Sequence, residues 1–339
     1  MVARSATDAC AALEPNLPKL FEEKSDKLRE AAADACGQLQ LAAAVPGLLK
    51  LADNSEYPSA IRVAALTAIG KIGDPVLDGL VERAVNDKDD KMRTAGLQLL
   101  AKVSPDKALP VIARVLDAGT IGEQQGAFAS LGDMSGEAVQ SLVGQWLDRL
   151  AADQVDARVR LDLLQAAERL PGKTIQDRLQ SIVAARPADD PLANYRETLV
   201  GGDSSRGRTI FYEKTAVSCL RCHKIGLRGG EVGPNLTHVA KDKTREYLLE
   251  ALVAPNRKIA EGFETVVVTT TDGKAITGVF KGEDDKELRL ATFEGQAIVI
   301  PKADIDERGR GLSAMPEQAV QQLTKFELRD LVEFLAGQK

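Results

Sequence analysis

The chain has 339 residues, a formal net charge of −6 and only 4% aromatic residues. The acidic excess falls within residues 1–200, which carry 29 acidic and 23 basic side chains. Since no basic face is evident and no apolar run reaches the length of a bilayer, we expect no nucleic acid partner and no transmembrane segment.

The first half of the chain repeats a helical pattern. A basic residue followed by small and apolar positions recurs at Arg29, Arg62 and Arg93, with weaker copies at Gln125 and Arg160, and the successive intervals are 33, 31, 32 and 35 residues. A helix pair of this length cannot bury its apolar face alone, so stacked neighbours must share a core. The pattern resembles HEAT-like repeats and predicts an α-solenoid whose arginines bond to neighbouring turns or acidic side chains.

Breaks in the sequence suggest the domain limits. Prolines and glycines interrupt any helix in residues 187–203, which we interpret as a linker. The sequence therefore predicts an α-solenoid at 1–186 and a second domain at 204–339. Cys10 and Cys36, in the first domain, are interpreted either as a disulfide or as small buried residues.

Cys219-Leu220-Arg221-Cys222-His223 is the segment that carries a chemical signature. Its C-x-x-C-H spacing is that of c-type haem attachment. One helical turn presents both thiols to the two vinyl groups of one haem, and the imidazole of the next residue can ligate the iron. The alternatives are a redox disulfide, which leaves His223 unexplained, a zinc site, which needs four ligands, and a chance match.

The flanking segments resemble a mono-haem cytochrome c domain of the Planctomycete and Verrucomicrobia haem-binding type. They are an upstream helix containing residues 207–211, Gly233-Pro234-Asn235-Leu236, Ala314-Met315-Pro316 and a final amphipathic helix over 323–335. The resemblance covers about 203–339. It implies one covalent haem c bound by Cys219, Cys222, His223, Pro234 and Met315, with His223 and Met315 as iron ligands and the Pro234 carbonyl accepting the histidine N–H.

The sixth iron ligand has three candidates: Met315, His238 and none. Met315 is favoured because it lies far along the chain, where its loop can reach the opposite side of the haem. His238 follows the Gly-Pro-Asn-Leu turn so closely that we expect it to be a surface histidine or a supporting one.

The residues between the two ligand-bearing parts change to a period of two. Strands are predicted within 263–302, with hairpin turns at Asp272-Gly273 and Glu294-Gly295. The expected fold class is therefore mainly α: an α-solenoid of helix-pair repeats, then a cytochrome c helical domain with a small four-stranded antiparallel β insert.

These observations together predict a c-type cytochrome that carries electrons and is not itself an enzyme. Its haem would cycle between Fe(II) and Fe(III) and accept electrons from a redox protein partner such as a dehydrogenase, separate or fused. Because covalent haem attachment occurs outside the bacterial cytoplasmic membrane, we expect a periplasmic or otherwise exported protein, although residues 1–4 lack the apolar core of a signal peptide. The alternative is a haem-based sensor or peroxidase-like enzyme on a repeat scaffold.

Overall fold

The described part of the chain divides into a helical unit and a mixed unit. The computed structural model describes residues 6–339. Unit 1 comprises the described residues up to Val155 and Asp162–Gln180, and unit 2 comprises Asp156–Leu161 and Ser181–Lys339. None of the helices described between residues 6 and 339 is both long and apolar enough to cross a membrane.

Helices account for nearly all regular structure up to residue 184. They are α1 Ala6–Leu13, α2 Leu17–Glu22, α3 Asp26–Gln38, α4 Val45–Asp53, α5 Ser59–Ile72, α6 Leu77–Ala84, α7 Asp90–Val103, α8 Pro105–Ala118, α9 Ile121–Asp133, α10 Glu137–Ala151, α11 Arg160–Arg169 and α12 Lys173–Ala184. Alternate helices stack in a row, in which α3 contacts α5, α5 contacts α7, and α7 contacts α9. The intervening helices α4, α6 and α8 pack against this row.

Small residues allow these helices to approach closely. A Cβ at Gly37 in α3 would lie 2.7 Å from the Cα of Ala68 in α5. One at Gly126 in α9 would lie 2.4 Å from Cγ2 of Thr94 in α7. Larger side chains at these positions would separate neighbouring helices, so the small residues determine the spacing of the stack.

Two of the repeated arginines, Arg62 and Arg93, have the structural role that the sequence predicts. Arg62 Nε donates to the Ala52 carbonyl oxygen at 3.0 Å, and its guanidinium pairs with Asp87 at 2.5 Å. Arg93 Nε pairs with Glu123 at 2.6 Å. Arg62 and Arg93 thereby each join their own helix to an acidic residue further along the stack.

Unit 2 combines short helices with two sheets. Its helices are α13 Ser204–Glu213, α14 Cys219–Cys222, α15 Arg245–Val253 and α16 Lys325–Ala336, and its strands are β1 Lys224–Ile225, β2 Arg228–Gly229, β3 Thr265–Thr270, β4 Ala275–Glu283, β5 Glu287–Ala291, β6 Ala297–Pro301 and β7 Ile305–Arg310. The helical core centres on Phe211, Leu248, Leu331 and Phe334. The final helix begins at a capping box formed by Thr324 and Glu327.

The larger sheet has five strands, and the prediction of four is wrong. All neighbours are antiparallel in the order β6-β5-β4-β3-β7, and the sheet extends to Arg310. The fifth strand, β7, pairs with β3 at one edge, for example Val267 with Gly309. Its sequence, Ile-Asp-Glu-Arg-Gly-Arg, is almost wholly exposed and charged, so it lacks the alternation that marks the other strands.

The segment predicted as a linker is packed within unit 2. Leu192 is buried in a cluster with Leu249, Leu328 and Val332. The Leu199 carbonyl oxygen accepts a hydrogen bond from Arg245 at 2.9 Å. Residues 187–203 therefore interrupt the helices, as their prolines and glycines indicate, and they also cover one side of the helical core.

Candidate cofactor site

A single helical turn places the two cysteines of the C-x-x-C-H motif. Helix α14 spans Cys219–Cys222, and the backbone N–H of His223 closes the turn on the Cys219 carbonyl oxygen at 2.9 Å. His223 itself adopts an extended conformation, with φ −108° and ψ 145°. His223 therefore follows directly on the turn that carries both thiols.

Pro234 fixes the imidazole of His223. His223 Nδ1 lies 2.9 Å from the Pro234 carbonyl oxygen. Because a carbonyl oxygen can only accept, Nδ1 must carry the proton, and Nε2 is left with a free lone pair. Burial lowers the pKa of His223, and the bond to Pro234 opposes that shift only in part, so the ring is neutral near pH 7. A neutral imidazole with a free Nε2 is the form that binds metals.

Gly233 leaves room for this ring. A Cβ at Gly233 would lie 2.7 Å from His223 Cε1 and 3.0 Å from Nδ1. The backbone N–H of Gly233 also donates to the Cys222 carbonyl oxygen at 2.9 Å. A side chain at this position would displace the imidazole from Pro234. The site therefore requires glycine at position 233.

The two thiols are not poised for disulfide exchange. Both Cys219 and Cys222 are free and partly buried. Burial raises the pKa of Cys219 to about 11, and burial also raises the pKa of Cys222. Reactive C-x-x-C thiols in redox enzymes have a lowered pKa, so the upward direction of both shifts disfavours a redox disulfide at this motif. Cys10 and Cys36 are also free thiols.

All five site residues predicted from the sequence line one cavity of about 470 Å³. Its wall is mainly apolar and includes Phe211, Leu236, Leu248, Leu252, Leu323 and Leu331. The volume lies within the usual range for cofactor pockets. Met315 thus reaches the same space as Cys219, Cys222, His223 and Pro234, although it comes from a distant part of the chain.

His238 lies at the border of this cavity and is exposed. Its Nδ1 is 3.0 Å from the Lys339 carbonyl oxygen, so Nδ1 carries the proton here as well. The exposed position is that of the surface histidine expected from the sequence.

Most basic side chains around the motif have acidic partners in the fold. Ion pairs join Arg206 to Asp330, Lys214 to Glu327, Arg221 to Glu294 and Lys224 to Glu231. Apart from Glu231, these acids lie far along the chain and could not be assigned to the basic residues from sequence. The pair at Glu294 links the turn after β5 to the C-x-x-C-H turn at 3.2 Å.

Comparison with known proteins identifies the repeats. Residues 13–101 match the HEAT repeat family model. These HEAT repeats include α3, α5 and most of α7. No curated protein sequence matches the chain.

One solved structure in the comparison is human deoxyhypusine hydroxylase in complex with glycerol. Its sequence identity to this chain is 15%, with 56% of this chain and 86% of that chain covered, and the TM-score is 0.26.

Across residues 6–339, no group of three or more His, Cys, Asp or Glu residues is arranged to hold a metal ion.

Proposed function

We propose that residues 204–339 form an electron-transfer module of the c-type cytochrome kind with one covalently attached haem c. The observation that carries the proposal is the donor set on a single apolar cavity. It consists of a neutral imidazole with free Nε2, a thioether and two closely spaced thiols, from His223, Met315, Cys219 and Cys222. Histidine and methionine are the axial ligands of cytochromes c.

Three features of the residues fit the group. The free Nε2 of His223 is oriented by a carbonyl, as in metal-ligating histidines generally. Gly233 leaves the space in which that ring lies. The cavity wall is apolar and offers a place for a macrocycle away from water.

Each residue then has a defined task. Cys219 and Cys222 would hold the haem through thioether bonds, and His223 and Met315 would ligate the iron. When bound, the haem supplies reversible exchange of one electron between Fe(II) and Fe(III). The Pro234 carbonyl keeps the imidazole oriented, and the apolar side chains keep water from the site.

The partner that we infer is a redox protein, such as a dehydrogenase, that delivers electrons to this module. The inference rests on the carrier chemistry of the donor set. We place the protein in the periplasm or another exported location, because covalent haem attachment occurs there. The HEAT repeats would act as scaffold.

The test is expression with a periplasmic signal and the haem maturation machinery. We expect a red protein that keeps its colour after acid–acetone extraction, because thioether bonds resist that solvent. Cys219→Ser/Cys222→Ser should lose the colour to the solvent. Cys10→Ser/Cys36→Ser, the matched control, should keep it.

The same preparation separates a carrier from the alternatives. A carrier should undergo reversible redox cycling and react slowly with peroxide and carbon monoxide. Rapid reaction with either would favour the peroxidase-like enzyme or the sensor. A colourless wild-type protein from cells that mature a control cytochrome would refute haem attachment.

A further inference from the structure

Met315 lies on a loop whose backbone has few bonds of its own. The loop follows β7 and continues to a short 3-10 helix at Glu317–Gln322. Within it, the Met315 backbone N–H donates to Ser313 Oγ at 3.2 Å. A side chain on such a loop would sample several positions unless neighbouring residues fixed the backbone.

Asn256 contacts this loop on both sides of Met315. Its Oδ1 accepts a hydrogen bond from the Ser313 backbone N–H at 2.7 Å. Its Nδ2 donates to Glu317 Oε1 at 2.6 Å. Both ends of one side-chain amide are therefore used, one two residues before Met315 and the other two residues after it.

The backbone of Asn256 is itself well anchored. It follows α15, whose Leu248 and Leu249 are buried, and Pro255 is also buried. The Arg257 N–H donates to the Ala254 carbonyl oxygen at 2.9 Å, which closes a turn around Asn256. Because its backbone is held next to the helical core, the Asn256 amide can hold the irregular loop in one position relative to that core.

We propose that Asn256 is the positioning residue that holds the Met315 sulfur in the cavity. This inference rests on the proposed function, because it concerns the approach of that sulfur to iron. The bond from a thioether to iron is weak, so an ordered loop favours ligation by reducing the entropy that the bond must overcome. Asn256 contributes no atom to the iron and acts only through the loop.

The first test removes the amide. In Asn256→Ala, matured with haem, the near-infrared sulfur-to-iron band of the ferric protein should weaken. The band should also disappear at a lower pH than in wild type, because the freed sulfur is displaced more readily. Carbon monoxide should bind the ferrous protein roughly five- to thirtyfold faster, because the variant loses two hydrogen bonds and each typically accounts for a factor of about five. Asn86→Ala, a control in unit 1, should change none of these.

Three further variants test the hydrogen bond between Asn256 and Glu317 by exchanging its donor and acceptor. Asn256→Asp keeps the acceptor for Ser313 but places a carboxylate against Glu317, so it should behave like Asn256→Ala. Glu317→Gln alone should be nearly silent, because its amide oxygen still accepts from Asn256. The double variant Asn256→Asp/Glu317→Gln reverses donor and acceptor and should restore the band.

The outcomes distinguish this inference from the function on which it rests. If wild type binds no haem, or binds haem without a sulfur-to-iron band, the proposed ligation fails. If wild type has the band and Asn256→Asp retains it with unchanged pH dependence, the positioning role fails. Failure of the double variant to recover the band would equally overturn the role, and this comparison decides the matter if Asn256→Ala does not fold.

Discussion

The Pro234 carbonyl determines which nitrogen of His223 is free. A side-chain partner could change its protonation, whereas a carbonyl oxygen is a permanent acceptor. The bond of 2.9 Å therefore holds the proton on Nδ1 at any pH at which the ring is neutral. Because burial lowers the pKa of His223, the pH range in which the ring is neutral extends below the ordinary pKa of histidine.

Met315 is the residue whose substitution should change the site most selectively. In the haem-loaded protein, Met315→Ala should lose the near-infrared sulfur-to-iron band, become partly high-spin and gain affinity for carbon monoxide. Loss of a soft thioether, which favours ferrous iron, should also lower the reduction potential. Optical spectra and a redox titration measure these changes.

His238→Ala is the matched control, because His238 borders the same cavity. It should leave the spectrum unchanged. If the spectral change appeared in His238→Ala and not in Met315→Ala, the assignment of the sixth ligand would be reversed.

The ion pairs that join repeats differ in burial, and this predicts unequal effects on stability. The side chain of Arg62 is 7% exposed and that of Asp87 is 20% exposed, whereas Arg83 and Asp53 are 56% and 49% exposed. Arg62→Met should destabilise unit 1 by about 3 kcal/mol, because it leaves Asp87 without its partner. Arg83→Met, the control, should cost less than about 1 kcal/mol. Urea unfolding at pH 7 measures both.

The stabilisation by this ion pair depends on pH because the pKa of Asp87 is lowered in the folded protein. The largest cause of that lowering is the hydrogen bond from Arg62. A carboxyl whose folded pKa is depressed contributes stability above its unfolded pKa, and this contribution is lost as the pH falls through the folded value. The difference between wild type and Arg62→Met should therefore be constant near neutrality and shrink only below about pH 4. A difference that vanished already at pH 6 would contradict the pairing.

The elements that local patterns encode could be predicted, and those that depend on distant partners could not. The amphipathic pattern over 323–335 predicts the final helix, and α16 spans Lys325–Ala336. Strand β7 has no such pattern, because an exposed edge strand is defined by its pairing with β3. At the site, the motif itself gives Cys219, Cys222 and His223, and the resemblance adds Pro234 and Met315. The role of Asn256 has no sequence signature, because it depends on where the loop after β7 lies.

At the scale of the whole molecule, the packing of residues 187–203 determines where unit 2 can be cut. A fragment of residues 181–339 should be more stable than one of 202–339 by about 3 kcal/mol. The shorter fragment loses the burial of Leu192 and the hydrogen bond from Arg245 to Leu199. Thermal unfolding of the two haem-loaded fragments, with the full chain alongside, measures the difference. Equal midpoints would mean that residues 187–203 behave as a free linker.

The position of the sheet along the chain has a consequence for unfolding. All of β3–β7 lies between His223 and Met315 in the sequence. An iron held by both side chains, as proposed, would therefore close a loop of the chain that contains the whole sheet. A cross-link of this span lowers the conformational entropy of the unfolded chain, and this stabilises the folded state by on the order of 4 kcal/mol. The bond from sulfur to iron would then be a reversible cross-link. The protein would be more stable to unfolding in the oxidation state whose iron binds sulfur more tightly.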